Sequence, residues 1–386
     1  MPPLSRRRFL RGFTILGGSA LLAGCQPRTA APAPAPALEP GSQAADRWQQ
    51  VLAAARQEGT ITVYGGPSAR TALHEPFERA YPGIKIDGTY GPGNQLVARV
   101  IAERQSGRNI ADVLVGPGTS GLIELKPIGA LAPVSPMLLL PEVLDRSKWF
   151  ENRLWWGDAE EPYSTILFQG TVQSIVSYNT SMVDPSEFRS YWDLLNPKWK
   201  GRIISTDIRT FGAGTIPSRY LHHKLGSAFF QRLYGEMDVT IASDQRQLAD
   251  WLGGGQYPLG VFIGPSQLVP AQQQGLPVNF VPPDQFAEGA PIGPGGGSLS
   301  VLDKAPHPNA ATVYTNWVLS REGALAWQDQ TSENSLRVDV PKDKVRPFSA
   351  PKAGVTYLDV GNESFARVGD DELMTVVVEA LASRGM

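Results

Sequence analysis

Four histidines, one cysteine and a scatter of acidic and basic side chains beside glycine-rich turns are the groups in this chain that can do chemistry. Their spacing excludes most kinds of it. His74, His222, His223 and His307 are far apart in sequence except for the middle pair. Residues at i and i+1 point to different faces of a helix, so His222 and His223 do not chelate a metal as i, i+4 histidines do. They read as packing or surface histidines. The chain has no Gly-x-Ser-x-Gly elbow, no Walker phosphate loop and no His-Glu-x-x-His, which removes the commoner routes to nucleophilic, phosphoryl-transfer and zinc-hydrolase chemistry. Gly91-Pro92-Gly93 and Gly293-Pro294-Gly295-Gly296-Gly297 suit an anion cradle as well as they suit plain turns. No catalytic residue, metal ligand or cofactor is expected from these patterns.

The elements that position such loops are readable from periodicity. Asp46 can cap a helix reaching to about Glu58, with Trp48, Val51, Leu52 and Ala55 at helical spacing before Gly59. A buried strand over Thr60–Tyr64 ends at Gly65-Gly66-Pro67-Ser68. A helix from about Ala69 to Tyr81, a strand over Ile84–Gly88, a helix near Asn94–Ser106 and a strand over Ala111–Val115 follow, the last closed by Gly116-Pro117-Gly118. Three strand–helix units with glycine at the strand ends predict an α/β layer with a parallel sheet. Residues 127–162 are rich in Pro, Leu and Trp, lack a period and read as irregular packing. Ser174–Tyr178 and Arg202–Asp207 open a second α/β set, with helices near Ile216–Met237 and Asp244–Gly253 and a strand over Leu259–Ile263. Ser298–Leu302 reads as the chain's return, and helices near Asn309–Ser320, Glu322–Asp329 and Asp371–Ser383 finish it.

The folded part, about 340 residues from Asp46, exceeds what one compact core holds and predicts two lobes. With 35 basic and 37 acidic side chains the formal charge is −2, which gives no support to nucleic-acid binding. The first 24 residues read as an export signal: a basic head at Arg6-Arg7-Arg8-Phe9-Leu10-Arg11 and an apolar run from about Phe13 to Ala23, too short to span a bilayer. The arginines followed by Phe and Leu resemble the twin-arginine export motif, and Leu22-Ala23-Gly24-Cys25 resembles the lipobox of bacterial lipoproteins. Cys25 is the only cysteine, so no internal disulfide competes for its thiol, and it is expected to be the lipidated mature N-terminus. Residues 25–45 are Ala/Pro-rich and read as an extended tether.

The order of segments says more than any one motif. Trp48 through Gly66, Phe77-Glu78-x-x-Tyr81-Pro82-Gly83-Ile84, Ala111-Asp112-Val113, Val176-Ser177-Tyr178-Asn179-Thr180 and Trp192-Asp193-Leu194-Leu195-x-Pro197-Lys198-Trp199-Lys200-Gly201 occur in sequence. Together they resemble the solute-binding proteins of ABC importers, in the branch that includes the ferric-iron binders, from about Trp48 to Asp329. The resemblance implies an α/β, two-lobed periplasmic binding protein-like II fold with a hinge of crossover strands. It places one lobe at 46–176 plus 298–386 and the other at 177–297. The partners it implies are a small-molecule solute and an inner-membrane ABC permease, for a periplasmic or cell-surface monomer held to the membrane by its lipid.

In that family the ligand groups come from loops at strand ends, in keeping with the rule that open α/β sheets bind at the carboxyl ends of their strands. The resemblance therefore nominates Tyr64, Gly66 and Ser68 after the first strand, Thr119 and Ser120 after Ala111–Val115, Arg209, Thr210, Gly212 and Thr215 after Arg202–Asp207, and Phe262. Hydroxyls and free amides at helix starts favour oxyanions, and Arg209 can add a bidentate contact or else pair with Asp207. Tyr64, Tyr90, Trp155, Trp156 and Phe262 are candidate cleft walls or plain core. The ferric pattern of adjacent tyrosines and an early histidine is not matched, because Val261-Phe262-Ile263-Gly264-Pro265 and Pro67-Ser68 occupy those places. The expectation is an anionic organic solute. A ferric iron or ferric-chelate binder, and a lipid-anchored enzyme or ligand sensor on the same frame, stay open.

Overall fold

A computed structural model describes residues 43–386 except Phe211 and Val368. Cys25, the arginine head and the tract before residue 43 lie outside the described residues. The first strand–helix units form as their sequence pattern predicts. Strand Thr60–Gly65 pairs in parallel with Lys85–Tyr90 on one side and Val113–Val115 on the other. Val113–Val115 in turn pairs antiparallel with the return strand Ser298–Leu302. With Thr165–Leu167, Trp155–Trp156 and Leu131–Ala132 these make a seven-stranded mixed sheet. Residues 127–162 are thus short strands, 3₁₀ turns and one α-helical turn, Pro141–Leu144, added to the sheet's far side. The helix expected after the first strand is broken by a π-helical turn at Arg70–His74.

The second sheet has five strands in the order Thr240–Ala242, Ile203–Thr206, Leu259–Val261, Val176–Asn179, Val278–Phe280. The first three run parallel, and Val176–Asn179 is antiparallel to both of its neighbours. The helical stretch after 215 divides into Thr215–Leu225 and Ser227–Glu236 at Gly226, whose φ of 72° is a conformation that favours glycine. A third sheet of Thr171–Val172, Ala290–Gly293 and Tyr357–Asp359 lies where the chain passes from one large sheet to the other. The crossings are therefore at 171–172 and 290–293, a few residues from the expected positions. Among the described residues no helix is long and apolar enough to cross a membrane.

Each large sheet has its own core. Trp48, Phe77, Trp149, Tyr314 and Trp317 pack in one apolar cluster with strands of the first sheet. Phe188, Tyr191, Phe229, Phe230 and Tyr234 pack in another with strands of the second.

One boundary differs from the sequence reading. Residues 298–386 were expected to belong with the first sheet, but Val360, Phe365, Leu373, Val377 and Leu381 are buried in the second cluster. The reason is amphipathic: helix Asp371–Ala382 carries Leu373, Val377, Ala380 and Leu381 on one stripe, and that stripe lies on helix Ser227–Glu236. Just before it, Asn362 and Glu363 are tied to the first sheet. The Asn362 side chain donates to the Asp158 carbonyl (3.1 Å), and the Glu363 amide donates to the Gly157 carbonyl (2.6 Å). The C-terminal segment thus crosses between the two cores a third time.

Candidate functional site

A cavity of about 590 Å³ is walled by residues of the five-stranded and three-stranded sheets, by the loops and helix starts beside them, and by the segment 346–349. Strand ends supply most of it. Leu259–Val261 stops where Phe262 takes a φ of 62°, a left-handed conformation that costs a bulky residue energy and persists only when its surroundings enforce it. Here the Phe262 amide donates to the Ile175 carbonyl (3.0 Å) and its carbonyl accepts from Thr206 Oγ1 (2.7 Å). The kink delivers Gly264, Pro265 and Ser266 to the cavity wall as the first turn of helix Pro265–Gln273. Gly212 and Ala213, leading into helix Thr215–Leu225, line the same space. Two helix N-termini, each carrying unsatisfied amides and the positive end of a dipole, therefore contribute to one cavity.

A hydrogen-bonded relay forms the opposite side. Trp327 Nε1 donates to Gln169 Oε1 (2.9 Å), Gln169 Nε2 donates to Thr171 Oγ1 (2.9 Å), and the Thr171 hydroxyl donates to Glu333 Oε2 (2.8 Å). Glu333 Oε1 accepts from Arg346. Gly295 has a φ of 51° and a Cβ there would lie 2.5 Å from Gln169 Nε2, so a glycine is what lets the loop close over the relay. Gln169, Thr171, Glu333 and Arg346 all line the cavity, and Arg346 supplies its one cationic side chain. The Arg346 Nε has no hydrogen-bond partner. Gln173, Ser174 and Ser266 add polar side chains. Glu333 is the only carboxylate among the lining residues, which include no tyrosine, histidine, aspartate or cysteine.

The residues nominated from sequence scatter around this cavity. Gly212 and Phe262 line it, although the Phe262 side chain is only 2% exposed and contributes chiefly backbone. Thr215 sits one turn away, its Oγ1 accepting from the Gly212 amide (2.9 Å). Gly66 and Ser68 line a separate cavity of about 160 Å³ with Gly91, Gly116 and Gly296. The neighbouring residues Gly295 and Gly296 line one cavity each.

Tyr64 is core: fully buried, its hydroxyl donates to Glu103 Oε1 (2.6 Å), and burial pushes its pKa up to about 12. Thr119 donates to the Gly361 carbonyl, and Ser120 to that of Pro117 (2.7 Å). Thr210 donates to the Asp207 carbonyl (3.1 Å). Arg209 takes the ion-pair alternative: its Nε and Nη2 each lie 2.9 Å from the Asp207 carboxylate, which is held below the usual carboxylate range by that hydrogen bonding. None of these five lines either cavity. Of the aromatic candidates, Trp155 is buried with Nε1 on the Phe150 carbonyl (3.0 Å), Trp156 stacks on Tyr163, and Tyr90 bonds His74 Nδ1 at 2.8 Å.

The relay residues were missed because they come from 169–171, 327–333 and 346, distant in sequence and bearing no motif. The sole sequence signal was Arg346-Pro347-Phe348-Ser349, a basic residue and an aromatic around a proline in a stretch without helical or strand period.

Comparison with known proteins agrees with this architecture. The chain is 26% identical over 379 residues to Iron uptake protein A1 of Synechocystis, covering 92% of this chain and 94% of that protein. A solved Trichodesmium IdiA (FutA) structure with iron and citrate ligands has a TM-score of 0.61 at 17% identity, covering 83% of this chain and 99% of that one. The Actinobacillus pleuropneumoniae periplasmic binding protein AfuA with fructose-6-phosphate bound has a TM-score of 0.53 at 17% identity, covering 85% and 99%. The fold is that of the two-lobed periplasmic binding proteins. The bacterial extracellular solute-binding protein model matches residues 48–325, and the chain is a member of that family, whose proteins are the solute-binding components of ABC importers.

Proposed function

We propose that this protein captures a small organic anion in the 590 Å³ cavity and presents it to an ABC permease. The observation that carries the reading is the convergence, on one cavity, of two helix N-termini and the Arg346 guanidinium. Oriented amides and a guanidinium together favour carboxylates and phosphates, and the volume falls within the range of small-molecule sites. The acid group is assigned to Arg346 and the turns at Gly212–Ala213 and Gly264–Ser266, with Gln173, Ser174 and Ser266 meeting the solute's other polar atoms. Arg209, already paired with Asp207, is not needed. Closure of the lobes 46–176 plus 298–386 and 177–297 about the crossings then traps the solute, driven by its differential affinity for the two states. Export through the twin-arginine route and a lipid on Cys25 complete the reading, and it gives the chain no catalytic step.

The test is calorimetry of the mature protein against carboxylates, phosphate monoesters, neutral sugars, ferric citrate and a ferric salt. Saturable binding of an acid, lost on neutralising that acid as an ester or amide, is the expected result. Binding of neutral sugars alone would overturn it. A second reading is favoured by the likeness to Iron uptake protein A1: iron carried as an anionic chelate. With one lining carboxylate, already bonded to Thr171 and Arg346, the cavity suits a carboxylate-wrapped iron better than bare ferric ion, which prefers several anionic oxygens. For the anchor, Cys25→Ser is expected to move the protein from the membrane to the soluble fraction.

A further inference from the structure

Two aromatic side chains line the cavity and are left unused by the anion reading. Phe280 ends the edge strand Val278–Phe280 of the five-stranded sheet, and Phe348 belongs to the segment 346–349. Both line the cavity and both are half-buried rather than core. Phe348 also has a φ of 65°, a conformation that a bulky residue adopts only under constraint. The constraint is visible on its neighbour. The Ser349 carbonyl accepts from the Val172 amide (2.9 Å) and its own amide donates to the Arg346 carbonyl (3.1 Å), so the bonds that hold Phe348 also hold the cavity's arginine. Ile216 and Val269 add further apolar lining to the same cavity.

We infer that the solute is an aryl acid: a flat apolar ring taken up between Phe280 and Phe348, with the acid group a short distance away at Arg346. This rests on the anion reading above and narrows it. A ring against aromatic side chains gains both buried apolar area and edge or offset-stacked contacts. A small alkyl acid gains little of the first and a saturated ring gains none of the second, so discrimination follows from the aromatic ring and affinity from the acid.

Calorimetry with matched pairs separates the two: phenyl phosphate against methyl phosphate, and benzoate against acetate and cyclohexanecarboxylate. The aryl member is expected to bind about tenfold tighter than its alkyl partner, and Phe348→Leu to reduce that preference to about threefold or less. Equal affinity within each pair, or benzoate no better than cyclohexanecarboxylate, would overturn the aryl assignment and leave the anion reading standing. Failure of every acid in both series to bind would overturn both.

Discussion

Two of the molecule's arginine–carboxylate pairs have nearly the same chemistry in different situations. Arg209 and Asp207 are two residues apart on the loop after Ile203–Thr206, and Arg209 is 38% exposed. Arg346 and Glu333 are joined across a folded segment, line the cavity and are linked through Thr171 and Gln169 to Trp327. Asp207 engages Arg209 through two nitrogens at 2.9 Å, which leaves the guanidinium little left to offer. Glu333 divides its oxygens between Thr171 and Arg346, and the Arg346 Nε stays unbonded. A local pair satisfies itself; a pair assembled by the fold retains capacity for a third party.

Replacing Arg346 should break this contrast most severely. Arg346→Ala is expected to weaken phenyl phosphate binding by about ten- to hundredfold, since hydrogen bonds to charged groups are worth roughly 1.5–3 kcal/mol. Calorimetry on a variant whose melting is unchanged checks it.

A carboxylate held by an amide instead of an arginine sharpens the electrostatic side. Asp359 accepts from the Gly361 amide (2.9 Å), and burial pushes its pKa up to about 6. Between about pH 4 and pH 6 the folded chain keeps a proton on Asp359 that the unfolded chain has released, so stability falls as pH rises through that window. Asp359→Asn should remove that slope and raise stability at pH 7 by about 1–2 kcal/mol, a figure discounted because the side chain is not fully buried. Asp207, held low by Arg209, acts oppositely: its contribution is lost as pH falls. Urea unfolding at pH 4, 5, 6 and 7 reads both.

Freeing the cavity arginine is the gentler test. Glu333→Gln keeps an acceptor for Thr171 but removes the internal competitor for Arg346, and phenyl phosphate is expected to bind about threefold tighter. Arg209→Ala should be the smallest effect, with binding unchanged within about twofold and stability lowered by less than about 1 kcal/mol. A tenfold loss of binding in Arg209→Ala would reverse the ranking of the two pairs.

The contrast also explains what was legible in advance. Strand Thr60–Gly65, its parallel neighbours and the second α/β set follow local rules of apolar runs and glycine stops, and they formed where those rules place them. Gly212 and Phe262, nominated as strand-end residues, line the cavity because strand ends are local features too. Tyr64 was misplaced because an apolar strand does not say which face meets a cavity, and its hydroxyl found Glu103. Gln169 and Glu333 had no local signature and Arg346 only that of the aperiodic Arg346-Pro347-Phe348-Ser349 stretch; the crossing at Thr171–Val172 and the packing of 346–349 on it bring them together. The C-terminal helix was assigned to the wrong core for the same reason, since its stripe specifies burial but not against which partner.

That helix has a consequence for how the protein is made. The second core is filled by residues 175–286 together with Val360, Phe365 and the stripe from Leu373 to Leu381, so part of it is supplied by chain made well after residue 286. Leu336 completes the first cluster, leaving only a short stretch of chain between the closing of the two. Neither half can mature on the ribosome well ahead of the other, as domains ordinarily do. A nascent chain halted before residue 360 would present the apolar faces of Phe229, Phe230 and Tyr234 uncovered, and quality control has a ready mark by which to tell an unfinished chain from a finished one.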